Sequence, residues 1–146
     1  MRSPPKNEGM TPADFDKLEK KGPLRVYTAR MGYKGEDAVD ITRSSGTVGQ
    51  IFAPTWTLLK PFLEKRTADV LTDADWERYT ALYLEEMRAS YRAYRGKWDA
   101  ILARPQATFL CFCVNEKQCH RRILSCEILT KLGAVYLGER QGALRL

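Results

Sequence analysis

The sequence has a single histidine, His120, and no apolar run near the ~20 residues that a bilayer-crossing helix needs. Its opening, MRSPPKNEGM, lacks the apolar centre of a secretory signal. There is no basic block of five residues, no low-complexity tract and no internal repeat. Neither a Walker loop nor a dinucleotide fingerprint is present. These absences argue against a helical membrane span, a repeat array, a P-loop nucleoside triphosphatase and a nicotinamide enzyme. What remains is a cytoplasmic globule with no membrane partner. In that reducing setting, four cysteines read as thiols or metal ligands rather than as a disulfide framework.

The 146 residues suit one domain, and the hydrophobic share of 44% is ordinary for a soluble globule. Residues 1–22 are polar and carry Pro4-Pro5 and Gly9, which predicts a flexible N-terminal arm with one helical turn after Thr11-Pro12. A single α/β domain is expected over 23–146. A formal charge of +6 favours polyanionic partners, nucleotides or nucleic acid, although a solvated surface rich in Lys and Arg has the same composition.

Along the chain, Leu24 to Thr28 reads as a first strand. The loop from Ala29 to Gly35, with Arg30 and Tyr33, has the glycines, aromatic and cations of a loop closing over an anion, or of a plain surface turn. Ala38 to Thr42 reads as a second strand carrying Asp40, followed by Arg43-Ser44-Ser45-Gly46, a candidate anion nest or an ordinary turn. A helix is expected from Thr55, kinked at Pro61. Thr72-Asp73-Ala74-Asp75 is a capping signature for a helix reaching Arg95, with Trp76, Tyr79, Tyr83, Met87, Tyr91 and Tyr94 on one stripe. Such a stripe covers a sheet more often than it stacks on bases. Gly96 is expected to break that helix before a further turn or two over Lys97 to Arg104.

All four cysteines and the histidine fall between Ala107 and Lys131. Thr108 to Val114 is apolar on both faces, as a central strand of a parallel sheet is. Asn115 to Gln118 then leads into a helix with Ile123, Leu124, Ile128 and Leu129, stopped at Gly133. A short strand, Ala134 to Leu137, and a tail of residues 138–146 close the chain. Parallel sheets bind ligands beyond the carboxyl ends of their strands, which gathers Cys113, Glu116, Cys119, His120, Arg121 and Arg122 near one point.

The spacing Cys111-x-Cys113-x5-Cys119-His120-Arg121, with a strand before and a helix after, resembles the YeaO-like family catalogued as domain of unknown function 488. Asp40-Ile41-Thr42-Arg43, Phe52-Ala53-Pro54-Thr55 and the acidic aromatic helix agree with it. Many members carry Glu at the position of Cys113. The resemblance spans roughly Leu24 to Leu137, and it supplies a fold more readily than a reaction.

Several chemistries fit these residues. Cys111, Cys113, Cys119 and His120 are the ligand types of a Cys3His zinc site, but they lack the usual knuckle spacing, so no metal or other cofactor is assigned. Cys119, at a helix start beside His and two Arg, has the surroundings of a reactive thiolate. Cys111 and Cys126 read as small buried hydrophobes. His120 and Arg121 could form an anion-recognition pair with Arg30 and Arg43, or His120 could be structural. The expectation is a small three-layer α/β fold with a mostly parallel, Rossmann-like sheet and flanking helices. It would bind a nucleotide or nucleic-acid component, and an enzyme of this kind would be a hydrolase or transferase. His120, Cys119 and Arg121 are the expected catalytic group, with Arg30, Tyr33, Asp40, Arg43, Cys113 and Glu116 binding substrate. The alternative is a non-enzymatic nucleic-acid or protein-binding module with structural zinc.

Overall fold

A computed structural model describes residues 22–140. The expected arm, apart from Gly22, and residues 141–146 of the expected tail lie outside the described residues. Four strands form one all-parallel sheet in the order β2-β3-β1-β4: β1 Arg25–Arg30, β2 Ala38–Asp40, β3 Gln106–Cys111 and β4 Val135–Glu139. The helices are α1 Trp56–Thr67, α2 Asp73–Ala93, α3 Arg95–Leu102 and α4 His120–Ile123. A π-helical turn, Leu124–Ile128, and a 3-10 turn, Thr130–Leu132, continue α4 as far as Gly133, which sits at φ 102° as a glycine stop requires. This is the small α/β class with a parallel sheet and flanking helices that the sequence predicts.

Register sorts the side chains into two faces. Val26, Val39, Ala107 and Phe109 share the face that packs on the helices. Both helical crossovers, β2 to β3 and β3 to β4, move the same way across the sheet, so right-handed connections bring their helices to one side. Phe52 packs edge-on against Trp98 and Phe109, at centroid distances of 4.7 and 5.6 Å. Tyr83 donates its buried hydroxyl to the Phe52 carbonyl at 2.7 Å. Each such buried aromatic contributes roughly 1.5–3 kcal/mol of transfer free energy. The stripe on α2 is core at Tyr79, Tyr83 and Met87, and it runs out at Tyr94, which is exposed.

The other face carries Tyr27, Thr108 and Gln106 and is covered from the loop between β1 and β2. Asp37 accepts from Gln106 Nε2 at 2.8 Å, Thr108 Oγ1 at 2.6 Å and Tyr33 Oη at 2.8 Å. The Arg140 guanidinium lies 3.6 Å from the centroid of Tyr27.

Strands β1, β2 and β4 differ from expectation by one or two residues at their ends, and three further boundaries differ as well. Helix α1 runs unbroken through Pro61, whose missing N–H removes one bond in a partly solvated helix. The α2–α3 break falls at Tyr94, with φ −126° and ψ 38°, while Gly96 lies inside α3. Strand β3 stops at Cys111 rather than reaching Val114. Ile41 N–H and Met31 N–H take the Leu110 and Cys111 carbonyls, and β2 has ended by then, so Phe112 and Val114 stand exposed.

Candidate metal centre

The end of β3 decides the site. Once the strand stops, the chain turns through residues 112–115, where Asn115 Oδ1 accepts from Lys117 N–H at 3.0 Å. A 3-10 turn, Glu116–Gln118, follows. Cys119, extended at φ −140° and ψ 146°, then caps α4. This reversal folds Cys113 back until its sulfur is 3.6 Å from Cys111 Sγ, and it sets Cys119 and His120 beneath them. Cys111, Cys119 and His120 each offer a ligand atom, and these atoms lie within 4.8 Å of one another. All four residues, Cys113 included, are buried.

His120 is oriented from behind. Its Nε2 lies 2.8 Å from the Ile41 carbonyl oxygen, and its ring packs on Tyr83 at 5.7 Å. A carbonyl only accepts, so Nε2 carries a hydrogen, and Nδ1 is the ring nitrogen that faces the sulfurs. Nδ1 is 3.9 Å from both Cys111 Sγ and Cys119 Sγ.

Two guanidiniums border the sulfurs. Arg66, near the end of α1, donates from Nη1 to Cys113 Sγ at 3.0 Å. Arg121, with 0% of its surface exposed, donates from Nη1 to Cys119 Sγ at 3.3 Å and to the Cys113 carbonyl at 3.0 Å. Its Nε and Nη2 meet the Glu139 carboxylate at 3.2 and 2.8 Å. Burial opposes the charge on Arg121, but the bond to Glu139 outweighs it and raises its pKa. Hydrogen bonds from Cys113 and Cys119 push the Cys111 thiol down. The same bond to Cys111 pushes Cys113 up, and burial pushes Cys119 well up.

The remaining residues named from sequence fall elsewhere. His120 and Arg121 are buried, whereas Arg30 is exposed and Arg43 half-buried. The polar atoms of His120 and Arg121 are taken up by backbone carbonyls, a carboxylate and sulfur. Arg43 donates to the Pro54 and Ala53 carbonyls at 2.9 and 2.8 Å. Asp40 accepts from the Thr42 amide and hydroxyl and from the Ser45 hydroxyl, so the donors of the expected anion nest are held internally. Tyr33 is bonded to Asp37 on the opposite face, and Arg30 is exposed at the end of β1. The Glu116 side chain lies outside the described residues. Three surface clefts, of about 480, 390 and 320 Å³, are lined by none of Cys111, Cys113, Cys119, His120 or Arg121.

Sequence reasoning missed Arg66, Glu139 and the Ile41 carbonyl; it read Cys111 both as a candidate zinc ligand and as a small buried residue on a strand, and the structure does bury it at the end of β3. No sequence signal marks the first three. For Cys111 the Cys-x-Cys spacing was a signal, hidden by the assumption that the strand continues and holds the sulfurs apart.

A protein-family model described as DUF488-N3a, the active DUF488-N3 subclade, matches residues 16–132. No curated protein and no solved structure matches the chain.

Proposed function

The chain belongs to the DUF488 family, and from that premise we propose that it is a thiolate metalloprotein. Cys111, Cys119 and His120 Nδ1 bind a zinc-like divalent ion, and Cys113 supplies the fourth position. One observation carries the reading: Nδ1 of the histidine is aimed between two buried sulfurs by a backbone carbonyl behind the ring. Metal-bound histidines characteristically receive this support on the far nitrogen.

The distances favour an ion over hydrogen bonds. Zinc bonds of about 2.3 Å to sulfur and 2.0–2.1 Å to nitrogen, at tetrahedral angles, separate two sulfurs by about 3.8 Å and a sulfur from a nitrogen by about 3.6 Å. The separations here are 3.6 Å between sulfurs and 3.9 Å from sulfur to nitrogen. Charge agrees as well. Three thiolates and an imidazole around a dication leave one net negative charge, and Arg66 and Arg121 each donate to a sulfur. In this role the ion ties the end of β3 to the start of α4, which is the work of a closed structural site.

The test is metal analysis of freshly purified protein together with zinc titration after chelation. The expected result is one ion per chain, lost in Cys119→Ser and His120→Ala and kept in Cys126→Ser. Protein that neither carries an ion nor gains thermal stability from added zinc would sink the reading. The word "active" in the subclade's description and the charge of +6 support a second reading, enzymatic action on a nucleotide or nucleic-acid component. Salt-dependent binding to a random oligonucleotide tests it, and a flat response to salt counts against it.

A further inference from the structure

Resting on the metal reading, the geometry points to Cys113 as an oxidant-reactive site whose oxidation by a peroxide joins it to Cys111 and expels the ion. The ligands are not equivalent. Cys119 is 1% exposed and bonded to Arg121, whereas Cys113 is 7% exposed and lies between two strongly exposed residues, Phe112 at 57% and Val114 at 74%. Cys113 also falls outside the set of mutually close ligand atoms and instead accepts a hydrogen bond from Arg66, a partly exposed residue of α1. It is the most exposed of the three clustered cysteines, Cys111 being 5% exposed, and the Arg66 guanidinium lies beside it on the outer side.

A partner thiol is already in place. Cys111 Sγ is 3.6 Å away, and a disulfide needs about 2.05 Å, so the sulfurs must close by about 1.5 Å. The chain between Cys111 and the 3-10 turn belongs to neither strand nor helix, which leaves it able to make that move.

The chemistry balances in two steps. The Cys113 thiolate attacks hydrogen peroxide: a sulfur–oxygen bond forms, the oxygen–oxygen bond breaks, and hydroxide leaves and takes up a proton to become water. The Cys111 thiolate then attacks the Cys113 sulfur: the disulfide forms, the sulfur–oxygen bond breaks, and a second hydroxide leaves and is protonated. Two electrons pass from the two sulfurs to the peroxide. The ion, left with Cys119 and His120 alone, dissociates.

The experiment treats the zinc-loaded full chain with one equivalent of hydrogen peroxide. Intact mass, peptide mapping and a chromogenic chelator are read together. The expected result is a loss of about 2 Da, a Cys111–Cys113 disulfide, one zinc released per disulfide, and recovery of zinc binding after a phosphine reductant. Cys126→Ser behaves as wild type, and in Cys113→Ser, which holds zinc through one ligand fewer, the peroxide-dependent release over its own untreated baseline is at least about tenfold slower than in wild type. A Cys111–Cys119 disulfide, a sulfinate at Cys113 with zinc retained, or no oxidation of zinc-loaded protein each overturns the proposal while leaving the metal reading intact. Failure of the untreated protein to load zinc overturns both.

Discussion

His120 and Ile41 meet across the end of the sheet, the imidazole Nε2 2.8 Å from the carbonyl oxygen. Ile41 follows β2, and its own N–H is taken by Leu110 of β3. One residue therefore fixes both the edge of the sheet and the rotation of the only imidazole in the chain. A small displacement of Ile41 would swing Nδ1 away from the sulfurs. Gly49 is the control point for such a displacement, because a Cβ there would run into the Asp40 carbonyl oxygen, one residue before Ile41. Gly49→Ala is expected to cost about 1–3 kcal/mol, as overpacking against backbone does. It should also weaken zinc binding, measured as a lowered denaturation midpoint and a raised zinc dissociation constant. Unchanged zinc affinity in a destabilised variant would disconnect the β2 end from the histidine.

Arg121 is fully buried and joined to Glu139 through two of its nitrogens. Removing one partner of such a pair leaves the other without its counter-charge. Arg121→Met is expected to destabilise the fold by about 3 kcal/mol, somewhat discounted because Glu139 keeps some contact with water. Glu139→Gln strands the fully buried guanidinium without its counter-charge and should cost at least as much, about 3 kcal/mol. Equilibrium urea unfolding measures both. A loss below about 1 kcal/mol in Glu139→Gln would contradict the buried-charge account.

Acid should loosen the molecule in a defined window. Burial alone would raise the Asp37 carboxyl, but bonds from Thr108, Gln106 and Tyr33 outweigh it and hold the carboxyl below its ordinary 3.8. Asp75, bonded to Lys65 and to the Thr72 cap, is held at about 2. Both carboxylates bind a proton less readily folded than unfolded, so their stabilisation is complete above about pH 4 and fades as pH falls through the folded values. Melting temperature should decline from pH 4 toward pH 2. Asp37→Asn should flatten that decline, and an unchanged slope in the variant would remove Asp37 from the account.

The buried hydroxyl of Tyr83 donates to the Phe52 carbonyl beneath α2. Tyr83→Phe leaves that carbonyl without its donor and keeps the ring packing. A loss of about 1–2 kcal/mol is expected, with zinc stoichiometry unchanged. Thermal denaturation with and without zinc measures both quantities. A loss of zinc would mean that Tyr83 supports the His120 ring more than the fold.

Wherever hydrophobic periodicity governs, the sequence was readable. The capping box at Thr72, the core stripe Tyr79, Tyr83 and Met87, the glycine stop at Gly133 and the parallel order of elements all follow from local chemistry. The site was half legible. Cys111, Cys119 and His120 are marked by type and by crowding, but their geometry depends on where β3 ends, and that is set by a neighbouring strand far away in sequence. Continuing the strand to Val114 holds Cys111 and Cys113 apart along the backbone; ending it at Cys111 brings them together. Arg43 and Arg121 looked like anion ligands because sequence shows charge and conceals the carbonyls and carboxylate that absorb it.

The strand order has a bearing on how the polypeptide acquires its shape. β1 and β2 do not pair with each other; each waits for β3, and Val39 finds Phe109 only after the chain has grown by seventy residues (109 − 39). During synthesis the first two-thirds of the chain can form helices while holding no ladder at all. Cys111 ends the very strand that begins the ladder, so sheet formation and cysteine clustering arrive in the same stretch of translation. A ribosome-bound fragment ending before Gln106 should accordingly be protease-sensitive throughout, and resistance should appear abruptly once β3 has emerged.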